Sequence, residues 1–401
     1  MRTRDDLTGR GGQDRIRVLF LMIQMQMGGA ERMIWDLARS LDRRTFAPSV
    51  AWFVEDSPLA EFEELGIPLF HVPKGPGFDW TAMKQIARIV KNERIDLVNA
   101  HHFMPFVYAY YAAKLTRRAK LVYTDHSDAD VRSNAGIWRL VGSCLLASSD
   151  AAVGVSPAVA QALRSQFLLP PKRVHVVENG VDLARFARGT FDATALRYRY
   201  GLSPTDVVMG IVANLKKNKN HLFLLRAFRE VRRKMPSAKL IIVGQGFPGD
   251  PQGSEREIVE YIAANGMQEC VRLLGHQRNV PELLQIMDLF CLVSYKEGLP
   301  ISLIEAMASG LPIIGTDIDG IRGVVEPGVN GWLVAPDDVP ALTEVLQRTI
   351  ADSRLRQDIG LASLRIALER YSLRRCVAQT ESLFLSVLPV ARRGGLKAPA
   401  P

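Results

Sequence analysis

Short apolar runs alternate with amphipathic segments along most of the chain. The runs are rich in Val, Ile and Leu on both faces, as expected of strands in a parallel sheet that helices cover on both sides. In the first half they occupy residues 16–23, 49–54, 95–100, 120–124, 151–155 and 174–177. This pattern predicts a doubly wound α/β domain.

A polar segment at residues 183–204 interrupts the pattern and predicts a linker. Apolar runs then resume at residues 207–212, 239–243, 271–274, 289–293, 312–315 and 331–334. We therefore predict two doubly wound, Rossmann-like domains, at residues 16–182 and 205–371, that face each other across a central cleft. The flanking segments are predicted to be a disordered lead at 1–15, a C-terminal helix at 372–390 that packs back on the first domain, and a flexible tail at 391–401.

The composition is that of a folded protein with an excess of positive charge. The 401 residues include 51 Lys and Arg against 42 Asp and Glu, for a net charge of +9. This balance favours anionic partners such as phosphates, nucleic acid or an anionic membrane surface. Nucleic acid is disfavoured, because the sequence has no nucleic-acid-binding signature and its aromatic residues do not interleave with a basic stripe.

Other features bear on compartment and metal binding. The longest stretch without a charged residue, 97–113, contains Asn99, His101, His102 and Pro105, so it does not resemble a bilayer span. The N-terminus has no apolar segment of the secretory type. The four cysteines are too scattered for a metal-ligand set or a disulfide framework. We therefore predict a cytoplasmic protein without a metal site.

Two loops that follow predicted strands suit an anionic ligand. Gly28 and Gly29 precede a helical segment whose N-terminus offers N–H groups, although an ordinary strand-to-helix turn explains them equally well. Lys216, Lys217 and Lys219 lie in the first loop of the second domain. A lysine there could neutralise a phosphate, and the alternative is a solvated run of charges.

The segment at residues 294–320 is the most informative part of the sequence. Gly298 and Pro300 lie where the chain leaves a strand, and a helix is predicted from Pro300 to residue 309, ended by Gly310. Glu297 precedes this helix and Glu305 lies within it. The alternative to a functional role is that Glu297 is a charge that complements the helix dipole and that Glu305 is an exposed helix residue. Because Glu305 is flanked by apolar residues, we expect it to need a polar partner such as a sugar hydroxyl.

These motifs together resemble a known family. The segments "GGAER", "NGVD", "LKKNKNH" and "EGLPISLIEAMASGLPII" occur in an order similar to that of the retaining nucleotide-sugar glycosyltransferases of glycosyltransferase family four (glycosyl transferases group 1), which have the GT-B fold. The resemblance spans residue 17 to the last predicted helix. It implies transfer of a sugar from a nucleotide diphosphate sugar to a hydroxyl of a glycan or lipid-linked acceptor, in cell-surface polysaccharide or glycolipid synthesis.

The resemblance also assigns roles to residues. Glu305 would bind the ribose and Lys219 the diphosphate, whereas Glu297 and His126 would lie near the donor sugar. The residues implied in donor binding are Gly28, Gly29, Asn214, Lys219, Gly244, Gly298, Leu299, Pro300, Ile301 and Glu305. Those implied in catalysis are Glu297, Lys219 and His126.

One position departs from the family pattern. The family usually has Arg five residues before the Lys, and Asn214 stands there, so the diphosphate site lacks one forked cation unless Lys216 or Lys217 compensates. A helix N-terminus together with Lys219 can stabilise the leaving diphosphate without a divalent metal. We therefore expect a metal-independent reaction with no cofactor, in which the departing phosphate accepts the proton of the acceptor hydroxyl. The alternatives are a non-catalytic nucleotide-sugar-binding subunit and a nucleotide-sugar epimerase.

A further expectation concerns the membrane. The charge-free aromatic stretch 103–113 is followed by Lys114, Arg117, Arg118 and Lys120, and a second mixed segment spans 137–146. Apolar rings beside basic side chains are typical of an interfacial helix, so a peripheral location on an anionic membrane surface is one interpretation. The alternative is a buried helix of the Rossmann-like domain.

Overall fold

The predicted apolar runs all form parallel strands. The computed structural model describes residues 15–26, 28–55, 57–126, 137–189, 191–246 and 253–389, so the predicted tail and almost all of the predicted lead lie outside the described residues. The chain divides into two units. The first contains the residues up to Val155, Val159–Val177 and those from Val377 onward, and the second contains Ser156–Ala158 and Glu178–Cys376.

The first unit is built on a seven-stranded parallel sheet with the order β3-β2-β1-β4-β5-β6-β7. Its strands are β1 (Ile16–Gln24), β2 (Phe46–Val54), β3 (Leu69–His71), β4 (Leu97–His101), β5 (Lys120–Asp125), β6 (Ala151–Gly154) and β7 (Val174–Val176). Its helices are α1 (Gly29–Ser40), α2 (Ala60–Glu63), α3 (Trp80–Asn92), α4 (Phe103–Thr116), α5 (Ile137–Ala147) and α6 (Pro157–Phe167). The chain reverses its winding direction between β1 and β4, as in a doubly wound fold.

The second unit has a six-stranded parallel sheet with the order β10-β9-β8-β11-β12-β13. Its strands are β8 (Val207–Val212), β9 (Ala238–Val243), β10 (Val271–Leu273), β11 (Leu289–Leu292), β12 (Ile313–Thr316) and β13 (Gly331–Val334). The helices that follow in the chain are α7 (Ala193–Arg199), α8 (His221–Lys234), α9 (Ser254–Ala264), α10 (Val280–Gln285), α11 (Ile301–Ala308), α12 (Asp319–Arg322), α13 (Val339–Ala351), α14 (Ser353–Arg370) and α15 (Leu373–Val387). Here the winding reverses between β8 and β11.

The segment predicted to be a linker is part of the second unit. Residues 183–204 contain a 3₁₀ turn, Leu183–Phe186, and helix α7. The second unit begins earlier, at Glu178, where Val181 forms a parallel bridge with Ser372. This bridge joins residues that are far apart in sequence. The change in local polarity at 183–204 therefore did not indicate where the second unit begins.

Helix α15 contributes to the core of the first unit. Its residues from Val377 onward belong to that unit. The ring of Phe384 lies 6.3 Å from those of both Phe20 and Phe46, and it is buried. The last helix therefore completes the apolar packing against β1 and β2.

Helix α4 is mainly a core helix. Phe106, Tyr108, Ala109 and Ala112 are buried, as the alternative of a helix within the Rossmann-like domain predicts for them. They pack on β4, β5 and α3. Tyr111 differs from them because it is 36% exposed. Among the described residues, none of the helices has the length and apolar character needed to cross a bilayer.

Candidate active site

The candidate catalytic residues of the second unit lie at the point where its sheet reverses direction. Strands β8 and β11 are neighbours in the sheet, and the loops at their carboxyl ends hold Lys219 and Glu297. In an open α/β sheet, connections that leave in opposite directions from adjacent strands create a crevice for ligands. The two residues are 78 positions apart in sequence, and the parallel order of the strands brings them together.

Lys219 and Glu297 form an ion pair. The ammonium Nζ of Lys219 lies 2.6 Å from Oε1 of Glu297, and the two side chains are 18% and 9% exposed. The hydroxyl of Ser294 donates to the same Oε1 at 2.6 Å. Charge-assisted hydrogen bonds of this length hold both side chains in fixed positions. Glu297 and Lys219, which the family resemblance assigns separately to the donor sugar and the diphosphate, therefore lie in direct contact with each other in this structure.

Three loops are tied together around this ion pair. The N–H of Tyr295 donates to the carbonyl of Asn218 at 2.8 Å, which joins the loop after β11 to the loop after β8. Asp337, which follows β13, accepts hydrogen bonds from the Tyr295 hydroxyl at 2.8 Å and from Nδ2 of Asn220 at 3.0 Å. These contacts hold the middle of the 3₁₀ turn Lys217–Lys219 and the residue that follows it.

Helix α11 presents its N-terminus next to Glu297. The helix begins one residue later than predicted, because Pro300 has an extended ψ of 118° and occupies the N-cap. No side chain of the described residues caps this end, so its N–H groups remain available to an anion. Nδ2 of the buried Asn179 donates to the carbonyl of Leu299 at 3.0 Å and holds the turn in place. Gly298 is buried in the same turn.

Gly244 and Asn214 lie where the loop after β9 crosses the loop after β8. Gly244 has a φ of +144° and its position leaves no room for a Cβ, which would collide with the carbonyl oxygen of Ala213. Oδ1 of Asn214 is buried and has no hydrogen-bond partner among the described protein atoms. A buried acceptor of this kind is satisfied when a ligand or an ordered water supplies the donor.

The remaining predicted site residues are Glu305 in the second unit and Gly28, Gly29 and His126 in the first. Glu305 is partly buried on α11, consistent with the expectation that it is not a fully exposed helix residue. In the first unit, Gly28 is the N-cap of α1, Gly29 is its first residue and His126 follows β5. A Cβ at Gly28 would fall 2.7 Å from Oε2 of Glu31, so the carboxylate already lies at this helix N-terminus.

The sequence-based prediction missed several residues that build the site. Ser294, Tyr295 and Asp337 all lie just beyond the carboxyl ends of β11 or β13. The rule that ligands bind at this edge of a parallel sheet could have selected them. Their mutual contacts depend on strand order, and the sequence pattern does not contain that information.

The arrangement can bind an anion and stabilise negative charge that develops on it. A lysine ammonium and an open helix N-terminus lie side by side, and both attract phosphate oxygens. Within the described ranges, no group of three His, Cys, Asp or Glu side chains is placed to hold a metal ion.

Comparisons with known proteins identify the family. Residues 27–185 match the family model for Glycosyltransferase Family 4, and residues 192–363 match the model for Glycosyl transferases group 1. The chain is 27% identical over 340 residues to N-acetyl-alpha-D-glucosaminyl L-malate synthase of Bacillus anthracis, covering 84% of this chain and 87% of that protein. It is 22% identical over 357 residues to UDP-Gal:alpha-D-GlcNAc-diphosphoundecaprenol alpha-1,3-galactosyltransferase of Escherichia coli, covering 85% and 89%.

The fold has a close counterpart among solved structures. The crystal structure of Anabaena Alr3699/HepE in complex with UDP and glucose superposes with a TM-score of 0.83 and 24% identity, covering 93% of this chain and all of that one. The two family models account for both units, and the two doubly wound sheets are those of the GT-B fold. The chain therefore belongs to glycosyltransferase family 4 (glycosyl transferases group 1) and is a GT-B glycosyltransferase.

Proposed function

We propose that the protein transfers a sugar from a nucleoside diphosphate sugar to a hydroxyl of a glycan or lipid-linked acceptor, in cell-surface polysaccharide or glycolipid synthesis. The observation that carries this proposal is the shielded Lys219–Glu297 pair beside the open N-terminus of α11. The structural counterpart from Anabaena holds UDP and glucose, and the relative from Escherichia coli is named for a UDP-sugar donor and a diphosphoundecaprenol-linked acceptor. Both support a nucleotide-sugar donor.

Retention of configuration at the anomeric carbon is part of the proposal. The two relatives from Bacillus anthracis and Escherichia coli are named for alpha-linked products. In a front-face reaction, the acceptor oxygen bonds to the anomeric carbon as the bond from that carbon to the phosphate oxygen breaks. The hydroxyl proton passes to the departing phosphate, so the chain needs no side-chain nucleophile. Lys219 and the N–H groups of α11 stabilise the charge on that phosphate.

Donor binding tests the proposed site directly. Glu305→Ala is expected to weaken binding of the preferred nucleoside diphosphate about 10- to 100-fold, because a carboxylate that accepts from ribose hydroxyls is lost. The donor is first identified by calorimetry with a panel of UDP-, GDP- and ADP-sugars. Glu344→Ala, on the exposed face of α13, serves as the control and is expected to leave affinity unchanged. Equal affinities for the two variants would contradict the assignment of Glu305.

Metal independence is the second expectation. Because Lys219 and the helix N-terminus supply the positive charge, the transfer rate is expected to change less than twofold when EDTA is added. The measurement is release of nucleoside diphosphate in the presence of acceptor, before and after chelation. Complete loss of activity that Mn²⁺ or Mg²⁺ restores would overturn the metal-free mechanism.

An anionic membrane surface is proposed as the place where the first unit meets its acceptor. Phe78, Trp80, Tyr111 and Leu115 are 43%, 61%, 36% and 64% exposed. They form an exposed apolar patch on α3, α4 and the turn before α3, where the ring of Phe78 contacts those of Trp80 and Tyr111 at 4.9 and 5.9 Å. We call these four residues the aromatic patch.

Exposed cations lie on the same two helices as the aromatic patch and in the turn after α4. The exposed basic residues of α3, α4 and the turn that follows are Lys84, Arg88, Lys91, Lys114, Arg117 and Arg118. Lys120 was predicted to belong to this set, but its Nζ is paired with Asp150 at 2.7 Å. Exposed rings with flanking cations suit the interface of an anionic bilayer, where each cation contributes about 1 kcal/mol.

Liposome flotation tests this surface. The triple variant Lys84→Gln, Arg88→Gln, Lys91→Gln is expected to bind phosphatidylserine vesicles about 100-fold more weakly than the wild type, and salt should weaken the wild type similarly. The control removes three exposed cations from α14 and α15, with Arg354→Gln, Arg365→Gln and Arg374→Gln. Equal loss in both triple variants would indicate an unspecific effect of net charge, and no wild-type flotation at low salt would reject membrane binding.

A further inference from the structure

Three histidines meet at the carboxyl edge of the first sheet. His101 ends β4, His102 follows it, and His126 follows the neighbouring strand β5. The rings of His101 and His126 are stacked with centroids 5.0 Å apart, and the ring of His102 lies 5.2 Å from that of His126. His126 is a candidate catalytic residue, whereas the family motifs assign no role to His101.

A chain of hydrogen bonds links His126 to the buried Asn99. Nδ2 of Asn99 faces Oγ1 of Thr124 at 2.9 Å and the carbonyl of Val122 at 3.3 Å. Oδ1 of Asn99 lies 3.0 Å from Nε2 of His101. Nδ1 of His101 lies 2.7 Å from Nε2 of His126.

The chemistry of these groups fixes the direction of every hydrogen bond in the chain. A backbone carbonyl only accepts, so the amide nitrogen of Asn99 must face Val122, and its oxygen must face His101. That oxygen also only accepts, so Nε2 of His101 carries a proton. A neutral imidazole has a single N–H, so Nδ1 of His101 accepts and Nε2 of His126 donates.

The surroundings keep both rings neutral. Burial lowers the pKa of His101 to about 3, and the nearby His102 adds to this effect. Burial, followed by His101 and His102, also holds the pKa of His126 well below its usual value. With His126 neutral and protonated on Nε2, its Nδ1 has no proton and can only accept a hydrogen bond.

We propose that His101, oriented by Asn99, is a positioning residue that fixes His126 in the Nε2–H form, so that Nδ1 of His126 accepts a hydrogen bond from a sugar hydroxyl in the transfer reaction. This inference rests on the proposed function, because it takes His126 to contact the reacting sugars. The hydrogen-bond chain selects a hydroxyl, which donates, and rejects a carboxylate or phosphate oxygen, which does not.

Nitrogen NMR tests the hydrogen-bond chain without reference to activity. Full-length protein labelled with ¹⁵N-histidine gives two-bond ¹H–¹⁵N spectra that distinguish protonated from unprotonated ring nitrogens, and His126→Gln assigns the signal. We expect His126 to be protonated on Nε2 alone in the wild type. A proton on Nδ1, or an equal mixture of the two forms, would overturn the proposal.

Two substitutions of His101 test whether the position of the proton on the His126 ring affects the rate of sugar transfer. Phe at position 101 fills the space beside Phe20 but cannot form hydrogen bonds, so His101→Phe is expected to mix the two forms of His126 and lower kcat/KM about tenfold. Gln can donate to Asn99 with its nitrogen and accept from His126 with its oxygen. His101→Gln is therefore expected to keep the Nε2–H form and a rate within about threefold of the wild type.

The outcomes separate this inference from the proposed function. If His101→Phe mixes the forms of His126 but leaves kcat/KM unchanged, the proposed hydrogen bond from Nδ1 to a sugar is wrong. If His101→Gln loses as much activity as His101→Phe while both variants melt at the wild-type temperature, the direction of the hydrogen bonds is not what matters. Absence of transfer with every donor in the wild type would reject the proposed function, while the NMR result would stand.

Discussion

Lys219→Met is expected to lower kcat about 100- to 1,000-fold with little change in the affinity for donor. Met keeps the length of the side chain but removes the cation that neutralises the leaving diphosphate. Electrostatic groups that act on developing charge contribute most in the transition state, and removal of one such donor has an effect of this size. The measurement is the steady-state rate of transfer together with calorimetric binding of the nucleoside diphosphate.

A neighbouring lysine provides the control. Lys217 lies in the same 3₁₀ turn and is exposed, and among the described residues it has no ion pair like the one that joins Lys219 to Glu297. Lys217→Met is expected to change kcat less than threefold. If the two variants have the same rate, or if Lys219→Met retains more than a tenth of wild-type turnover, the lysine does not serve the leaving group.

The same substitution has a cost in stability that can be measured separately. Removal of Lys219 leaves the carboxylate of Glu297 with the Ser294 hydroxyl but without its cation, and the group is largely shielded from water. We expect the free energy of unfolding to fall by about 1–3 kcal/mol, less than for a fully buried pair. Adding Glu297→Gln should restore stability without restoring turnover. A double variant no more stable than Lys219→Met would contradict this account of the pair.

Gly320→Ala is expected to reduce kcat/KM at least about 100-fold, although Gly320 itself is no candidate site residue. Gly320 lies in α12, where a Cβ would come within 3.0 Å of the carbonyl group of Glu297 and the carbonyl oxygen of Gly298. Backbone cannot yield as a flexible side chain does, so the turn that carries Glu297 must shift. A displacement of about 1 Å in a catalytic constellation is enough for a loss of this size.

Gly323→Ala is the matched control for this prediction. Gly323 is the residue directly after α12, and among the described residues a Cβ there would meet only the carbonyl oxygen of Asp319, at an ordinary contact distance of 3.7 Å. We expect this variant to transfer at the wild-type rate. The comparison uses kcat/KM and thermal melting for both proteins. Equal activity of the two variants would mean that the turn at Glu297 tolerates displacement.

The strands illustrate how far local sequence determines the fold. The apolar runs at 207–212 and 331–334 were predicted with the bounds that the structure has, because strands buried on both faces need continuous apolar residues. Strand β3 was missed, since its three residues are too few to form such a run and all are only partly buried. Its place at the edge of the sheet is set by pairing with β2.

The candidate site was predictable as a set of residues and not as a geometry. Lys219 and Glu297 lie in loops that follow apolar runs, and the resemblance of those loops to the family motifs named them as candidates. The 2.6 Å ion pair between them exists because β8 and β11 are adjacent at the reversal of the sheet. The hydrogen bonds of Asp337 with Tyr295 and Asn220 depend in the same way on β13 lying beside β12.

Apart from β3, the strands, the two doubly wound domains and the family resemblance were predictable from the sequence alone, because they follow from local patterns of polarity and from motifs within single loops. The site residues named on that resemblance stay predictions. The tertiary structure decided which of those residues touch. The register that pairs His101 with Thr124 places Asn99, His101 and His126 in one chain of hydrogen bonds, and the bridge from Val181 to Ser372 sets where the second unit begins. Both depend on strand order and register between distant segments, which packing fixes and local sequence does not.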